Sequence, residues 1–168
     1  LGTMDAFLAA LRREIVMYGL THGRFAGPPP GGRFDSIFFG GGTPSLLDPA
    51  VVGELIEALR GQFDVTEDAE VTLETNPGTV DRAKLKGMLN AGVNRLSVGI
   101  QSFHADELKF LTRIHDAETA RRCVRDAFDA GFTNLNIDLI FALPGQTHDK
   151  WEQTLSGALA LGPQHLSA

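Results

Sequence analysis

Polar side chains suited to ligand binding recur at the ends of three segments in which polar and apolar residues alternate. The segments are residues 71–74, 96–101 and 135–140. A two-residue period is typical of a β-strand with one dry face and one accessible face. Carboxylates and amides placed in this way can hydrogen-bond to the hydroxyl, ammonium or carboxylate groups of a small molecule. The predicted accessible faces carry Thr72, Glu74, Ser97, Gln101, Asn136 and Asp138.

Segments with helical spacing separate these strands, so we expect the strands to run parallel with their carboxyl ends together. Ligands bind at that end in parallel α/β folds. We therefore predict one site that contains Glu74, Gln101 and Asp138. An antiparallel sheet with one wet face would show the same alternation, but the helical spacers are too long for hairpins. Taken alone, each of these residues would more often be solvated or would cap a helix.

A run of three glycines at 40–42, followed by Thr43 and Pro44, comes directly after a predicted strand at 34–39. Consecutive glycines let backbone groups approach a ligand, and Thr43 adds a hydroxyl. The run lacks the Gly-Lys-Ser/Thr of a Walker loop and the G-x-G-x-x-G spacing of dinucleotide folds. A tight turn alone would explain it, but its position at the same end of the sheet favours a ligand contact.

Arg113 is predicted on one helical region that runs from about 105 to 130. From there its guanidinium could reach over the site and bind a carboxylate through paired hydrogen bonds. Asp138 suits the two hydroxyls of a ribose, and Glu74 suits an ammonium or a further hydroxyl. The set matches a ligand with ribose, amino and carboxylate parts. The histidines show no metal-ligand spacing, and we assign neither a metal ligand nor a catalytic residue.

The connection that begins at Ala91 recurs at Ala130, 39 residues later, and each copy is a helix end, a glycine turn and a strand start. A unit of this length is a strand–helix–strand module. Four such units predict an α/β fold, either a barrel or a doubly wound sheet. The polar inner faces favour a partial parallel (β/α) barrel. Further helices are predicted near 3–18, 49–62 and 148–161, and a Gly- and Pro-rich loop at 27–32.

Composition narrows the class of protein. The chain of 168 residues is one domain or part of one, and its net charge of −6 argues against a general nucleic-acid binder. No apolar run is long enough to span a bilayer. The single cysteine, Cys123, falls on the apolar stripe of a predicted helix, which indicates a buried structural thiol. One cysteine forms no internal disulfide, and this favours a cytoplasmic location.

Five stretches together resemble the radical S-adenosylmethionine (SAM) enzymes related to oxygen-independent coproporphyrinogen III oxidase. They are Gly-Gly-Gly-Thr-Pro-Ser within 38–47, Asn-Pro-Gly-Thr within 73–79, Gly-Ile-Gln-Ser-Phe within 92–103, Arg-Ile-His-Asp at 113–116, and Asn-Ile-Asp-Leu-Ile-Phe-Ala-Leu-Pro-Gly within 136–147. The Asn-Pro-Gly-Thr stretch and the Ser-Phe pair are more similar to the heme chaperone branch of that group.

The resemblance implies a partial (β/α) barrel that binds SAM and, in the intact protein only, a [4Fe-4S] cluster held by three cysteines after the first strand. It implies that Gly41, Gly42 and Thr43 contact the methionine part of SAM. Glu74, Gln101, Arg113 and Asp138 would complete the cofactor site, with Asp138 on a ribose. Heme or a porphyrin is the implied partner, together with possible heme-acceptor proteins.

The chain departs from the family pattern at the cysteine loop, which it lacks, and Ala142 stands where glycine is frequent. We expect residues 1–168 to be a piece of the barrel domain without its first strand and C-terminal region, and to lack radical activity as given. Two alternatives stay open: the decarboxylating coproporphyrinogen oxidase itself, and an iron-free phosphate-binding (β/α) barrel enzyme.

Overall fold

The computed structural model of the protein describes residues 2–23 and 33–168, so the predicted loop at 27–32 lies outside the described residues. Helices and strands alternate along the chain. They are α1 (Thr3–His22), β1 (Phe34–Phe39), α2 (Pro49–Gln62), β2 (Val65–Thr75), α3 (Arg82–Asn90), β3 (Arg95–Gln101), α4 (Ala105–Phe110), α5 (Ala117–Ala130), β4 (Leu135–Leu139), α6 (His148–Leu159) and β5 (His165–Ser167).

The five strands form one parallel sheet in the order β1-β2-β3-β4-β5. A doubly wound sheet reverses its strand order at a switch point, because its helices cover both faces. Here each strand pairs with the next one in sequence, which is the arrangement of a (β/α) barrel wall. The predicted α/β fold and partial parallel barrel are therefore confirmed, and the doubly wound alternative is wrong.

The hydrophobic core lies between the helices and the apolar face of the sheet. Leu73, Leu96, Val98, Leu135 and Ile137 from the three central strands are fully buried there. Each buried side chain of this size stabilises the fold by about 1.5–3 kcal/mol relative to an exposed one. The apolar residues of the alternating segments thus form the side of the sheet that faces the helices.

The opposite, inner face of the sheet differs from the expectation. Thr72, Ser97, Gln101 and Asn136 were predicted to be accessible, but all four are buried. They lie on neighbouring strands and several of them hydrogen-bond to other side chains of this face. Such pairing satisfies buried polar groups without solvent, so the inner face is polar and largely dry.

The predicted helical region at 105–130 is two helices and not one. Helix α4 ends at Phe110, and Thr112 adopts a left-handed conformation with φ 54°. Helix α5 then starts afresh, with the Asp116 carboxylate accepting from the backbone N–H of Thr119 at 2.8 Å. A side-chain cap of this kind defines a helix start. The break at 111–116 places Arg113 in a connection.

Among the described residues, no helix has the length and apolar character needed to cross a membrane.

Candidate functional site

A polar cavity of about 260 Å³ opens at the carboxyl ends of the central strands. Residues from β2, β3 and β4, from the connections after β1 and β2, and from the connection between α4 and α5 surround it. The lining residues are Gly42, Thr43, Pro44, Glu74, Thr75, Asn76, Ser97, Gly99, Gln101, Arg113 and Asp138. The carboxyl end of a parallel sheet is the usual ligand-binding end of this class of fold, so this cavity is the candidate site.

The glycine run after β1 forms one wall of the cavity. Gly41 and Gly42 have φ values of 76° and 47°, a region that side chains disfavour. The backbone N–H of Gly41 donates to Oε2 of Glu74 at 3.0 Å, which ties the loop to the end of β2. A Cβ on Gly41 or Gly42 would meet no atom within 4 Å. Backbone conformation, not crowding, therefore requires glycine at these two positions.

Asp138 is held in the cavity by two side chains of the inner face. Ser97 Oγ donates to Oδ2 of Asp138 at 2.7 Å, and Asn136 Nδ2 donates to Oδ1 at 2.7 Å. The side chain of Asp138 is half-buried, whereas Ser97 and Asn136 are buried. Charge-assisted bonds of this length orient a carboxylate strongly, so Asp138 presents a fixed pair of oxygens to the cavity.

Gln101 reaches the cavity because β3 is irregular at its end. The register between β3 and β4 shifts between Gly99 and Gln101, and Gln101 has φ 70°. Next to it, a Cβ on Gly99 would lie 2.9 Å from Nε2 of Gln101. The missing side chain at Gly99 thus leaves room for the Gln101 amide beside the cavity.

Arg113 lines the cavity, but from the connection between α4 and α5 and not from a helix as predicted. The turn is fixed by the Arg113 N–H, which donates to the Leu108 carbonyl at 2.9 Å, and by buried His115, whose Nε2 lies 3.3 Å from the Ile100 carbonyl. Burial is the main cause that lowers the pKa of His115. No carboxylate among the described residues forms an ion pair with Arg113. The guanidinium is left to face the cavity.

The structure brings the predicted site residues together. Gly42, Thr43, Glu74, Gln101, Arg113 and Asp138 all line the cavity, and Gly41 joins them through its bond to Glu74. The sequence analysis placed Ser97 on the same polar faces without giving it a ligand contact, and it did not assign Pro44, Thr75, Asn76 or Gly99 a contact. The two-residue phase of β3 contained the signal for Ser97 and Gly99, because Gln101 lies on the same face of that strand.

Residues 26–157 match the profile of the Radical SAM superfamily, which covers well over half of the chain. The chain belongs to this superfamily. This radical SAM chain is 42% identical to the heme chaperone HemW of Haemophilus influenzae over 80% of its own length and 35% of that protein. It is 35% identical to the oxygen-independent coproporphyrinogen III oxidase of Escherichia coli over 97% of its own length and 34% of the oxidase.

The solved structure of the Escherichia coli coproporphyrinogen III oxidase, described as a radical SAM enzyme, superposes on this chain with a TM-score of 0.81 at 32% sequence identity. The match covers 98% of this chain and 37% of that structure. The radical SAM chain thus spans about a third of the length of the curated relatives that it matches.

Proteins of this superfamily generally use SAM and a [4Fe-4S] cluster, and the described residues fit these two groups differently. The cavity offers two carboxylates, one guanidinium without an acidic partner and a glycine-rich backbone, which fit the charged and hydroxyl groups of SAM. Cluster ligation needs several thiolates. The sequence has one cysteine, Cys123, which is buried, and burial raises its pKa to about 12. The described residues therefore fit SAM and do not fit a cluster.

Proposed function

We propose that this chain is the SAM-binding part of a radical SAM protein of heme metabolism, and that the protein is a heme chaperone. The observation that carries the proposal is the polar cavity, in which the residues assigned from the family resemblance stand together. The 42% identity to the Haemophilus influenzae heme chaperone, over 80% of this chain, supports this branch beside the 35% identity to the Escherichia coli oxidase, over 97% of this chain. We further propose that residues 1–168 are one part of a larger barrel domain, and that the protein is cytoplasmic.

In the proposed complex, Gly41, Gly42 and Thr43 contact the methionine part of SAM through their backbone and the Thr43 hydroxyl. Arg113 binds its carboxylate, and Asp138 accepts from the ribose hydroxyls. Glu74 and Gln101 complete the site beside the amino group and the ribose. When bound in this family, SAM supplies the 5′-deoxyadenosyl group used for hydrogen abstraction. We assign no cluster ligand to the described residues.

Exposed apolar side chains support a tetrapyrrole as the second ligand. Leu46, Ile114 and Phe141 are 57%, 76% and 56% exposed, and they follow β1, β3 and β4 at the end of the sheet where the cavity opens. Ile114 lies close to the turn after β2, since a Cβ on Gly78 would be 3.1 Å from its Cδ1. Isolated exposed apolar residues are common, but several around one polar cavity suit a flat apolar ligand.

Heme titration of the full-length protein, followed by its absorbance spectrum, separates the two branches when paired with an assay for coproporphyrinogen turnover. A heme chaperone binds heme and does not decarboxylate coproporphyrinogen, whereas the oxidase does the reverse. Turnover without heme binding would overturn the chaperone proposal. An iron and sulfide analysis of the same preparation addresses the iron-free barrel alternative, which the superfamily match disfavours.

Matched variants test the apolar surface. Ile114→Ser and Phe141→Ser should each weaken heme binding. Leu159→Ser is the control, because Leu159 is 58% exposed but stands at the end of α6, away from the cavity mouth. Equal affinity in all three variants would remove this surface from the proposal.

A further inference from the structure

Asp138 is the end of a chain of hydrogen bonds that crosses three neighbouring strands. Ser167 Oγ on β5 donates to Oδ1 of Asn136 on β4 at 3.2 Å. Asn136 Nδ2 then donates both to Ser97 Oγ on β3 at 2.8 Å and to Oδ1 of Asp138 at 2.7 Å. Ser97 Oγ, having accepted from Asn136, donates to Oδ2 of Asp138 at 2.7 Å.

Every polar atom of Asn136 is used in this chain. A side-chain amide has two N–H donors and one carbonyl acceptor. The donors of Asn136 go to Ser97 and Asp138, and its carbonyl accepts from Ser167. The reversed amide would turn its oxygen toward the Asp138 carboxylate, so the network fixes one orientation. Asn136 is 3% exposed and does not line the cavity. It can affect a ligand only through its neighbours.

The network leaves each oxygen of the Asp138 carboxylate able to accept another hydrogen bond. An ionised carboxylate has about four acceptor positions, two on each oxygen. Ser97 occupies one on Oδ2 and Asn136 occupies one on Oδ1. Each oxygen therefore keeps one position for a donor that enters from the cavity. Two donors side by side, as on a vicinal diol, match this pair.

We infer that Asn136 and Ser97 are positioning residues that hold the Asp138 carboxylate for two adjacent ligand hydroxyls, and that they set the preference of the site for a diol over a single hydroxyl. The inference rests on the proposed function, since the ligand with the diol is SAM. Asn136 acts without touching the ligand, and Ser97 acts from the wall of the cavity.

A double-mutant cycle in the full-length protein tests the coupling. The probe is S-adenosylhomocysteine, measured by calorimetry, because it carries the same ribose as SAM. Asp138→Ala should weaken binding about tenfold, as expected for hydrogen bonds to a charged group. Asn136→Ala should weaken it by a smaller factor, because Asn136 only positions the Asp138 carboxylate. In the Asp138→Ala background, Asn136→Ala should have no further effect, because its route to the ligand is gone. Additive losses would overturn the inference.

Diol selectivity gives a second measurement that a general loss of stability would not change. The wild type should bind S-adenosylhomocysteine more tightly than its 2′-deoxyribose analogue. Ser97→Ala and Asn136→Ala should shrink this ratio, and Ser97→Thr, which keeps the hydroxyl, should restore it. Ser97→Ala removes a single oxygen atom, so this variant can be used for the measurement if Asn136→Ala does not fold.

Asn94 provides the matched control. Its amide also links neighbouring strands, but through backbone groups and at the opposite end of the sheet. It accepts from the Val71 N–H at 2.7 Å and donates to the Ala69 carbonyl at 2.9 Å. Asn94→Ala should lower stability and leave the diol ratio unchanged. If Asp138→Ala abolishes the ratio while Ser97→Ala and Asn136→Ala preserve it, the positioning role is wrong and the SAM site stands. If Asp138→Ala changes nothing, the ribose contact itself fails.

Discussion

The backbone N–H of Gly41 donates to the Glu74 carboxylate at 3.0 Å, and this single bond joins the loop after β1 to the end of β2. Glu74 therefore has two tasks. One oxygen holds the glycine loop in its left-handed conformation, and the other remains available to the cavity. A residue predicted from the sequence to bind the ligand thus also holds one wall of the cavity in place.

Replacing Glu74 should loosen the loop before it affects the rest of the fold. Glu74→Ala removes the acceptor, so the Gly41 amide should exchange its hydrogen faster, because local opening controls exchange. Glu74→Gln keeps an acceptor oxygen and should retain more protection. Hydrogen exchange followed by mass spectrometry of the peptide containing Gly41 measures the effect. Unchanged protection in Glu74→Ala would show that the bond does not hold the loop.

Two glycine-to-alanine substitutions should change stability in opposite directions. Gly42 has φ 47°, where a side chain is strained, so Gly42→Ala should lower the free energy of unfolding by about 1 kcal/mol. Gly61 lies in α2 with open space around it, so Gly61→Ala should raise that free energy by about 0.5–1 kcal/mol. Urea unfolding followed by circular dichroism compares both variants with the wild type. A gain in stability for Gly42→Ala would contradict the left-handed loop.

Replacing Ala142 with glycine should stabilise the fold. It has φ 59° in the connection after β4, although alanine disfavours that conformation. Ala142→Gly removes the strain and should raise the free energy of unfolding by up to about 1 kcal/mol. A thermal unfolding curve measures this change, and Ala158→Gly, inside α6, is the control that should lower the melting temperature.

Affinity for SAM should depend on Arg113 and Asp138. In a full-length, cluster-loaded protein, Arg113→Ala and Asp138→Ala should each weaken SAM binding by about 1–3 kcal/mol, because each loses hydrogen bonds to a charged group. Isothermal titration calorimetry measures the affinity. Arg125→Ala is the control, since Arg125 forms an exposed ion pair with Glu118 on α5. Unchanged affinity in both cavity variants would falsify the proposed contacts.

Acidification should destabilise the fold through His115. Burial, and to a smaller extent the charge of Arg113, lowers its pKa below the ordinary value of 6.5. Well above pH 6.5 the ring is neutral in both folded and unfolded chains. As the pH falls below that value, the unfolded chain takes up the proton more readily, so the free energy of unfolding decreases.

The measurement compares urea unfolding at about pH 7.5 and about pH 5.5, on either side of the ordinary histidine pKa. His115→Gln should show a smaller loss between the two values than the wild type. The same substitution at exposed His165 is the control. If His115→Gln keeps the full pH dependence, other groups cause it.

The strand pattern predicted much of the architecture because a two-residue period assigns each side chain to a face. That phase placed Glu74, Gln101 and Asp138 on the inner face, where the structure has them. It did not predict that the inner face is buried. Burial depends on which residues of neighbouring strands meet, and the Asn136–Ser97 bond exists only in the register that the folded sheet adopts.

The sequence predicted that Arg113 contributes to the site, but it did not predict which element carries it. The sequence indicated that a residue after β3 could face the site, but not that the helix breaks at Thr112. Threonine in a left-handed conformation gives no glycine or proline signal. No glycine or proline occurs between residues 105 and 130, so the sequence was interpreted as a single helical region.

The 39-residue interval between the glycine turns at Gly92 and Gly131 equals the offset between paired residues of β3 and β4, where Leu96 meets Leu135 and Ser97 meets Asn136. The length of the intervening segment thus decides which side chains become neighbours across these two strands. A deletion of one residue that shifted this pairing would turn Asp138 toward the helices. Natural variation in this part of the protein should therefore change the outer surfaces of α4 and α5 freely and preserve their combined length.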